Sequence, residues 1–158
     1  MDPIVSINEI GHLCQRQVVS IDQGQDIVAA ARLMREKHVG CLIVTAPRPD
    51  CDAPGVVGVL TDRDIVVSVI ARGAEPQMLK VGDVMTRNPL LAGEESSLDA
   101  TLAFMGAAGV RRVPVLGKQG ELVGVLSLDD ILARMARQLD DIVGSMRAEQ
   151  QTEGLLRP

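Results

Sequence analysis

The sequence has no tryptophan and no tyrosine, and Phe104 is its one phenylalanine. That scarcity weighs against any site that stacks nucleobases on aromatic platforms. A bound purine would have to lie between aliphatic side chains and backbone. Basic charge is also short: 16 Lys and Arg stand against 21 Asp and Glu, for a net charge of −5. This balance argues against nucleic acid or an anionic membrane surface as the main partner. Three cysteines, Cys14, Cys41 and Cys51, are too few and odd in number for a disulfide scaffold, and fit a reducing, cytoplasmic setting. No zinc-ligand spacing is present, and His12 and His38 stand alone in the sequence, which suits structural or solvent-facing roles. No apolar run is long enough to span a bilayer. The opening residues Asp2 and Pro3 lack the basic-then-apolar pattern of a secretory signal.

What the 158 residues do contain is enough apolar material, 46% of the chain, for a sizeable core, and a pattern that occurs twice. VVSIDQGQDIVAAARLMREKHVGCLIV, from Val18, aligns with PLLAGEESSLDATLAFMGAAGVRRVPV, from Pro89, at an offset of 71. Ala29 meets Ala100, Met34 meets Met105, Val39 meets Val110, and Arg16 meets Arg87. The match resumes at an offset of 66, where GVLTDRDI from Gly58 meets GVLSLDDI from Gly124. The first copy therefore carries five extra residues within APRPDCDAPG.

Each copy reads as β-α-β-β-α, an α/β unit of α+β type. The predicted elements of copy one are a strand over 18–21, a helix over 26–37, strands over 41–44 and 56–60, and a helix from Thr61. Copy two has a strand at 90–91, a helix over 97–107, strands over 112–115 and 121–126, and a helix from Ser127. Pro47, Pro49, Pro54 and Gly55 mark a loop in copy one. Pro114 predicts an edge strand, or one that begins after it. One unit of this size can hardly bury its own sheet, so the two are expected to pack as a pseudo-two-fold pair. The expected bounds are 7–72, a linker over 73–83, 84–146, and a flexible tail over 147–158. Leu132, Met135, Leu139, Ile142 and Met146 alternate at spacings of three and four, a heptad stripe for packing helices side by side. The helix after Thr61 is apolar nearly all round. Together these stripes favour a homodimer over the alternative that both are used within one chain.

Thr61-Asp-Arg-Asp64 and Ser127-Leu-Asp-Asp130 sit where a strand gives way to a helix. Two readings fit them. A helix N-terminus can hold phosphate on its free N–H groups, with the hydroxyl joining in and the carboxylate one turn later accepting from ribose hydroxyls. The same Ser/Thr-x-x-acid pattern is a capping box that satisfies the helix's own donors, worth about 1 kcal/mol with no ligand at all. Gly58 and Gly124 would let a ligand approach the strand. Arg63 lies in the first turn of a helix, where its charge opposes the dipole unless an anion is near. Arg111 and Arg112 can grip phosphate oxygens, or equally be solvated or paired with Asp129 or Asp130.

The repeated G-hydrophobic-L-[TS]-x-x-D-I, the GVRRVPV stretch and VGDVMTRNP together resemble tandem CBS domains, over about residues 7–146. The family is named after cystathionine β-synthase, in which such a pair (a Bateman module) is regulatory. The resemblance implies a non-catalytic module that binds adenosine ligands in clefts between the repeats: AMP, ADP or ATP, with NAD or S-adenosylmethionine as further candidates. No cofactor or metal is required. It also implies two sites. Thr61, Arg63 and Asp64 would join Thr86, Leu90 and Val110 in the first. Ser127 and Asp130 would join Val19, Val39 and Gly40 in the second, with Arg111 and Arg112 serving phosphates near the shared centre. Copy one departs from copy two, with Gly40 and Cys41 where copy two has Arg111 and Arg112, and Asp62 where copy two has Leu128. The regulated partner would be a separate protein. Two other classes stand beside the sensor. One is an oligomerisation module with degenerate clefts. The other is a nucleotide-hydrolysing enzyme, for which the chain offers no P-loop, metal cluster or nucleophile with a paired acid and base. Cys41 and Cys51 flank the extra residues, and a disulfide between them depends on how the strands run.

Overall fold

The computed structural model describes residues 9–49 and 51–156, the last six as backbone only. The expected start of repeat one at residue 7 and the last two residues of the expected tail lie outside that range. The chain divides after Leu126 into a larger unit and a helical remainder from Ser127.

Repeat one runs β1 (Ser20–Asp22), α1 (Ile27–Lys37), β2 (Cys41–Arg48), β3 (Cys51–Thr61) and α2 (Asp62–Ile65), which continues as a π-helical turn, Val66–Ile70. Asp26 caps α1 by accepting from the Ala29 N–H at 2.8 Å. Ile27, Ala30 and Met34 then fall on one face and are buried. At the C-terminus His38 takes the left-handed conformation, φ 54°, and its N–H closes on Arg35 and Met34 carbonyls. His38 is thus a helix terminator. The core of this repeat gathers Ile21, Ile27, Ala30, Met34, Leu42, Val44, Leu60, Val69, Val81 and Met85.

Residues 79–83, expected to be linker, are tied to repeat one. Val81 N–H donates to Gln25 O and Gly82 N–H to Gln23 O, while Ile27 N–H donates to Leu79 O. They form α3 (Val81–Val84), followed by β4 (Thr86–Arg87), which pairs antiparallel with Gly58 and Val59 of β3. The first sheet is therefore four-stranded, in the order β1-β2-β3-β4. Asn88, φ 49°, turns the chain out of it.

Repeat two runs β5 (Ala92–Gly93), α4 (Leu98–Ala108), β6 (Arg112–Leu116), β7 (Leu122–Ser127) and α5 (Leu128–Leu156), with β5-β6-β7 as its sheet. Ser97 caps α4 through the Ala100 N–H, and Gly109, φ 66°, ends it at the position of His38 in repeat one. The N-terminal segment completes this sheet: Gln15 exchanges both backbone hydrogen bonds with Val125, Ile10 N–H donates to Ser96 O and Gly11 N–H to Glu94 O. Each repeat is thus finished by the segment that precedes the other.

Several expectations need correction. The extra residues of repeat one form no loop but lengthen the β2–β3 hairpin, whose register runs from Cys41↔Thr61 to Arg48↔Cys51. Pro47 is tolerated because it sits in a register irregularity between Ala46 and Arg48. It also lies past β1, which pairs only with Ile43, Val44 and Thr45. That same register puts Cys41 at one end of the hairpin and Cys51, opposite Arg48, at the other, roughly 20 Å apart at ~3.3 Å per residue. No disulfide can join them in this fold, and all three cysteines are free. Pro114 lies inside β6, neither at an edge nor before the strand, because β5 pairs only with Val115 and Leu116 and asks no N–H of residue 114. The first strands of both repeats begin two residues later than predicted, at Ser20 and Ala92, so β5 lies beyond Leu90 and Leu91. The helix α5 continues through 147–156, where a flexible tail was expected. Arg147, Ala148, Glu149, Gln150 and Gln151 are strong helix formers.

Candidate functional site

The corner at Thr61 joins the end of β3 to the start of α2. Thr61 N–H and hydroxyl both donate to Asp64 Oδ2, at 2.8 and 2.7 Å, and Asp64 N–H donates back to Thr61 Oγ1 at 3.1 Å. The capping box is therefore complete. It consumes one oxygen of Asp64 and leaves Oδ1 without a hydrogen-bond partner among the described residues. The capping reading of this tetrapeptide is thus met with one carboxylate oxygen.

At the Thr61 corner the backbone amides are already taken. Asp62 N–H donates to Gly40 O at 3.1 Å, and Arg63 N–H donates to Asp62 Oδ1 at 2.7 Å. With Thr61 and Asp64 already bonded, each amide of this corner has a protein partner. Any phosphate contact here falls to side-chain cations.

The β2–β3 register brings Cys41 opposite Thr61, so Gly40, Cys41, Thr61, Asp62 and Asp64 share one end of the hairpin. Burial pushes the Cys41 thiol up, Arg112 pulls it down, and Asp64 and Asp62 push it up again. The Arg112 guanidinium from repeat two therefore acts on the same neighbourhood as the two aspartates of repeat one. Arg111 immediately precedes β6. Thr86 lies along β3 opposite Val59, two positions before Thr61, with its side chain exposed. Leu90 lies in the irregular stretch between β4 and β5, and Val110 follows the cap of α4. Val19 and Val39, candidates for an adenine wall, are partly buried and pack on the core of repeat one. Ser127 Oγ accepts from the Asp129 N–H at 3.1 Å at the start of α5, where Asp130 lies in the first turn.

Gly58 and Gly124 do not open the strands to a ligand, because protein already fills the space. A Cβ on Gly58 would meet Met85 Sδ and would lie 2.9 Å from Thr86 O. On Gly124 it would lie 2.5 Å from Cys14 Sγ and 2.9 Å from Gln15 O. Both glycines admit the arriving segment that completes the sheet. Asp62 and Cys41 meet at this end of the hairpin, a neighbourhood that their separation in the sequence conceals. The signal was present in the hairpin register, which only pairing of the strands reveals.

Elsewhere, Gly93, Glu94, Glu95, Ser96, Leu116, Gly117 and Lys118 line an open depression of about 340 Å³ crossed by none of these groups. Its Glu95–Lys118 ion pair is largely exposed. No helix among the described residues is long and apolar enough to cross a membrane, and no group of His, Cys, Asp and Glu among them could hold a metal ion.

Known proteins carry the same pattern. The family model for the CBS domain matches residues 10–70 and again 81–137. An uncharacterized protein of Bacillus subtilis, YlbB, is 33% identical over 120 residues, 76% of each chain. An uncharacterized protein of Methanopyrus kandleri is 27% identical over 123 residues, and the match spans 60% of that protein's length. Among solved structures, an uncharacterized conserved protein from Pyrococcus horikoshii superposes with a TM-score of 0.70 at 27% identity, over 81% of this chain and 92% of that one. A CBS domain pair solved in complex with 5′-methylthioadenosine and S-adenosyl-L-methionine superposes with a TM-score of 0.69 at 19% identity, over 82% of this chain and 97% of that one, a likeness of fold. The family match falls on both halves of the chain, and each half folds as the same strand–helix–hairpin–helix unit: the protein belongs to the CBS domain family, as a tandem pair.

Proposed function

We propose that the chain is a non-catalytic sensor that binds an adenosine ligand at the Thr61–Asp64 corner and signals to a separate protein. The observation that carries this is the spare Oδ1 of Asp64. A capping box alone needs one carboxylate oxygen. Here the second oxygen remains available for ribose hydroxyls, at a corner whose neighbouring Cys41 also feels the Arg112 guanidinium of the other repeat. Arg63, Arg111 and Arg112 then supply the cations for phosphate, and Thr86, Leu90 and Val110 border the nucleoside. Ser127 and Asp130, with Val19, Val39 and Gly40, are the ligand groups proposed from the resemblance alone. A CBS pair of the same fold was solved with 5′-methylthioadenosine and S-adenosyl-L-methionine, which supports the adenosine reading. AMP, ADP and ATP head the candidates, with NAD and S-adenosylmethionine after them. A homodimer in the cytoplasm, with its thiols reduced, completes the proposal. Any signalling requires the ligand to bind one shape of the protein better than another.

The test is an ultraviolet spectrum of freshly purified protein and mass spectrometry of what heat releases. With no Trp or Tyr, the protein is nearly dark at 280 nm, so a peak near 260 nm exposes a carried nucleotide. A released adenine compound supports the sensor. An empty spectrum followed by failed titrations with adenosine, AMP, ATP and S-adenosylmethionine overturns it. The second reading, an oligomerisation module, is favoured by the apolar groups that α5 leaves exposed, Leu132, Met135, Leu139, Ile142 and Met146. Self-association together with failure of every adenosine titration is its expected result.

A further inference from the structure

The two repeats differ where a phosphate would come closest. Asp62 in repeat one occupies the position of Leu128 in repeat two, and Gly40 that of Arg111. The Asp62 carboxylate is held in place: Oδ1 accepts the Arg63 N–H at 2.7 Å. Oδ2 lies 2.9 Å from where a Cβ on Gly40 would stand, so the glycine leaves room for the carboxylate to fold over it. The Oδ1 bond occupies the Arg63 amide and fixes a negative charge at the corner. Each further phosphate on a ligand brings negative charge toward Asp62 and Asp64, against the cations Arg63, Arg111 and Arg112.

We infer that Asp62 sets how many phosphates the Thr61–Asp64 corner accepts, favouring adenosine ligands with one phosphate or none over the triphosphate. This rests on the adenosine reading of that corner. Asp62 acts as a specificity determinant through charge and by occupying the Arg63 amide.

The experiment is calorimetric titration of adenosine, AMP and magnesium-free ATP into the full chain and into two variants. Asp62→Asn removes the charge and keeps an acceptor for the Arg63 N–H. Asp62→Leu copies the residue of repeat two and removes both. Wild type binds AMP at least tenfold more tightly than ATP, and both variants narrow that ratio by about tenfold, chiefly through tighter ATP. A wild type that prefers ATP, or a ratio unchanged in Asp62→Asn, overturns the inference while leaving the adenosine reading intact. If none of the three ligands binds wild type, the inference falls, and titration with S-adenosylmethionine then decides the adenosine reading. Should Asp62→Leu fail to fold, Asp62→Asn decides alone.

Discussion

Arg16 and Arg87 make the same hydrogen bond 71 positions apart, each reaching back five residues with Nη2, Arg16 to Gly11 O and Arg87 to Gly82 O. Each arginine clasps a short arm that pairs with a sheet of one repeat. The arm around Ile10 bonds to Glu94 and Ser96, and the arm around Val81 bonds to Gln23 and Gln25. The pseudo-two-fold relation is thus written in individual hydrogen bonds as well as in element order.

The arms are structural, so truncating their anchors should cost as much as truncating the core. Ile10 and Val81 are both fully buried. Ile10→Ala is expected to destabilise the fold by about 2–5 kcal/mol, the range for emptying a buried aliphatic site. Urea unfolding measures it. A loss under 1 kcal/mol would mean that the N-terminal arm is not docked in solution.

Glycines give a sharper contrast. Gly58→Ala and Gly124→Ala force a Cβ against the incoming arm, including the Thr86 and Gln15 carbonyls, which cannot rotate away. Each is expected to cost about 1–3 kcal/mol. Gly106→Ala and Gly144→Ala add a Cβ into open space on helices and should be neutral or stabilising by up to ~1 kcal/mol. Thermal melts of the four variants separate the two classes, and equal shifts in all four would contradict the arm geometry.

These glycines also show where reading a sequence stops. The repeat, the β-α-β-β-α order and the Asp26 and Ser97 starts of α1 and α4 follow from short-range rules of capping and periodicity, and the structure bears them out. Gly58 was read as an opening for a ligand, because sequence shows an absent side chain but not which neighbour uses the space. Pro47, Pro54 and Gly55 signal a loop locally, yet strand pairing overrides them, with the proline placed in an irregularity of the ladder. At the site, Thr61 and Asp64 were visible as a spacing. The occupation of all four amides was not, since Gly40 lies 22 positions before Asp62 in sequence and becomes its neighbour only through the hairpin.

Thiol chemistry should rank the cysteines. The Ala53 backbone and the Arg48 side chain hold the exposed Cys51 thiol below its ordinary range, while burial raises Cys14 and Cys41. The thiolate is the nucleophile, so a lowered pKa gives more reactive form at a given pH and a raised one gives less. Alkylation at pH 7.5 should therefore modify Cys51 first, with its rate levelling off at a lower pH than the other two. Peptide mass spectrometry over a pH series follows each site. Equal rates at Cys41 and Cys51 would show that the β2–β3 register is not kept in solution.

The last expectation concerns α5. Its stripe of Leu132, Met135, Leu139, Ile142 and Met146 is more than half exposed at every position. The positions beside the stripe, Ala136, Gln138, Val143 and Ser145, carry no charge. Arg134, Arg137, Asp140 and Asp141 lie off the stripe. A stripe spaced at three and four, with uncharged borders, suits a second helix of the same kind. Wild type should therefore sediment as a concentration-dependent dimer. Leu139→Lys, at the middle of the stripe, should weaken association at least tenfold, as expected for a central residue worth about 2 kcal/mol or more. Its melting temperature at low concentration, where wild type is monomeric, should be unchanged, because Leu139 is 63% exposed within one chain. A wild type that stays monomeric at high concentration would remove the homodimer from the proposal without touching the adenosine site.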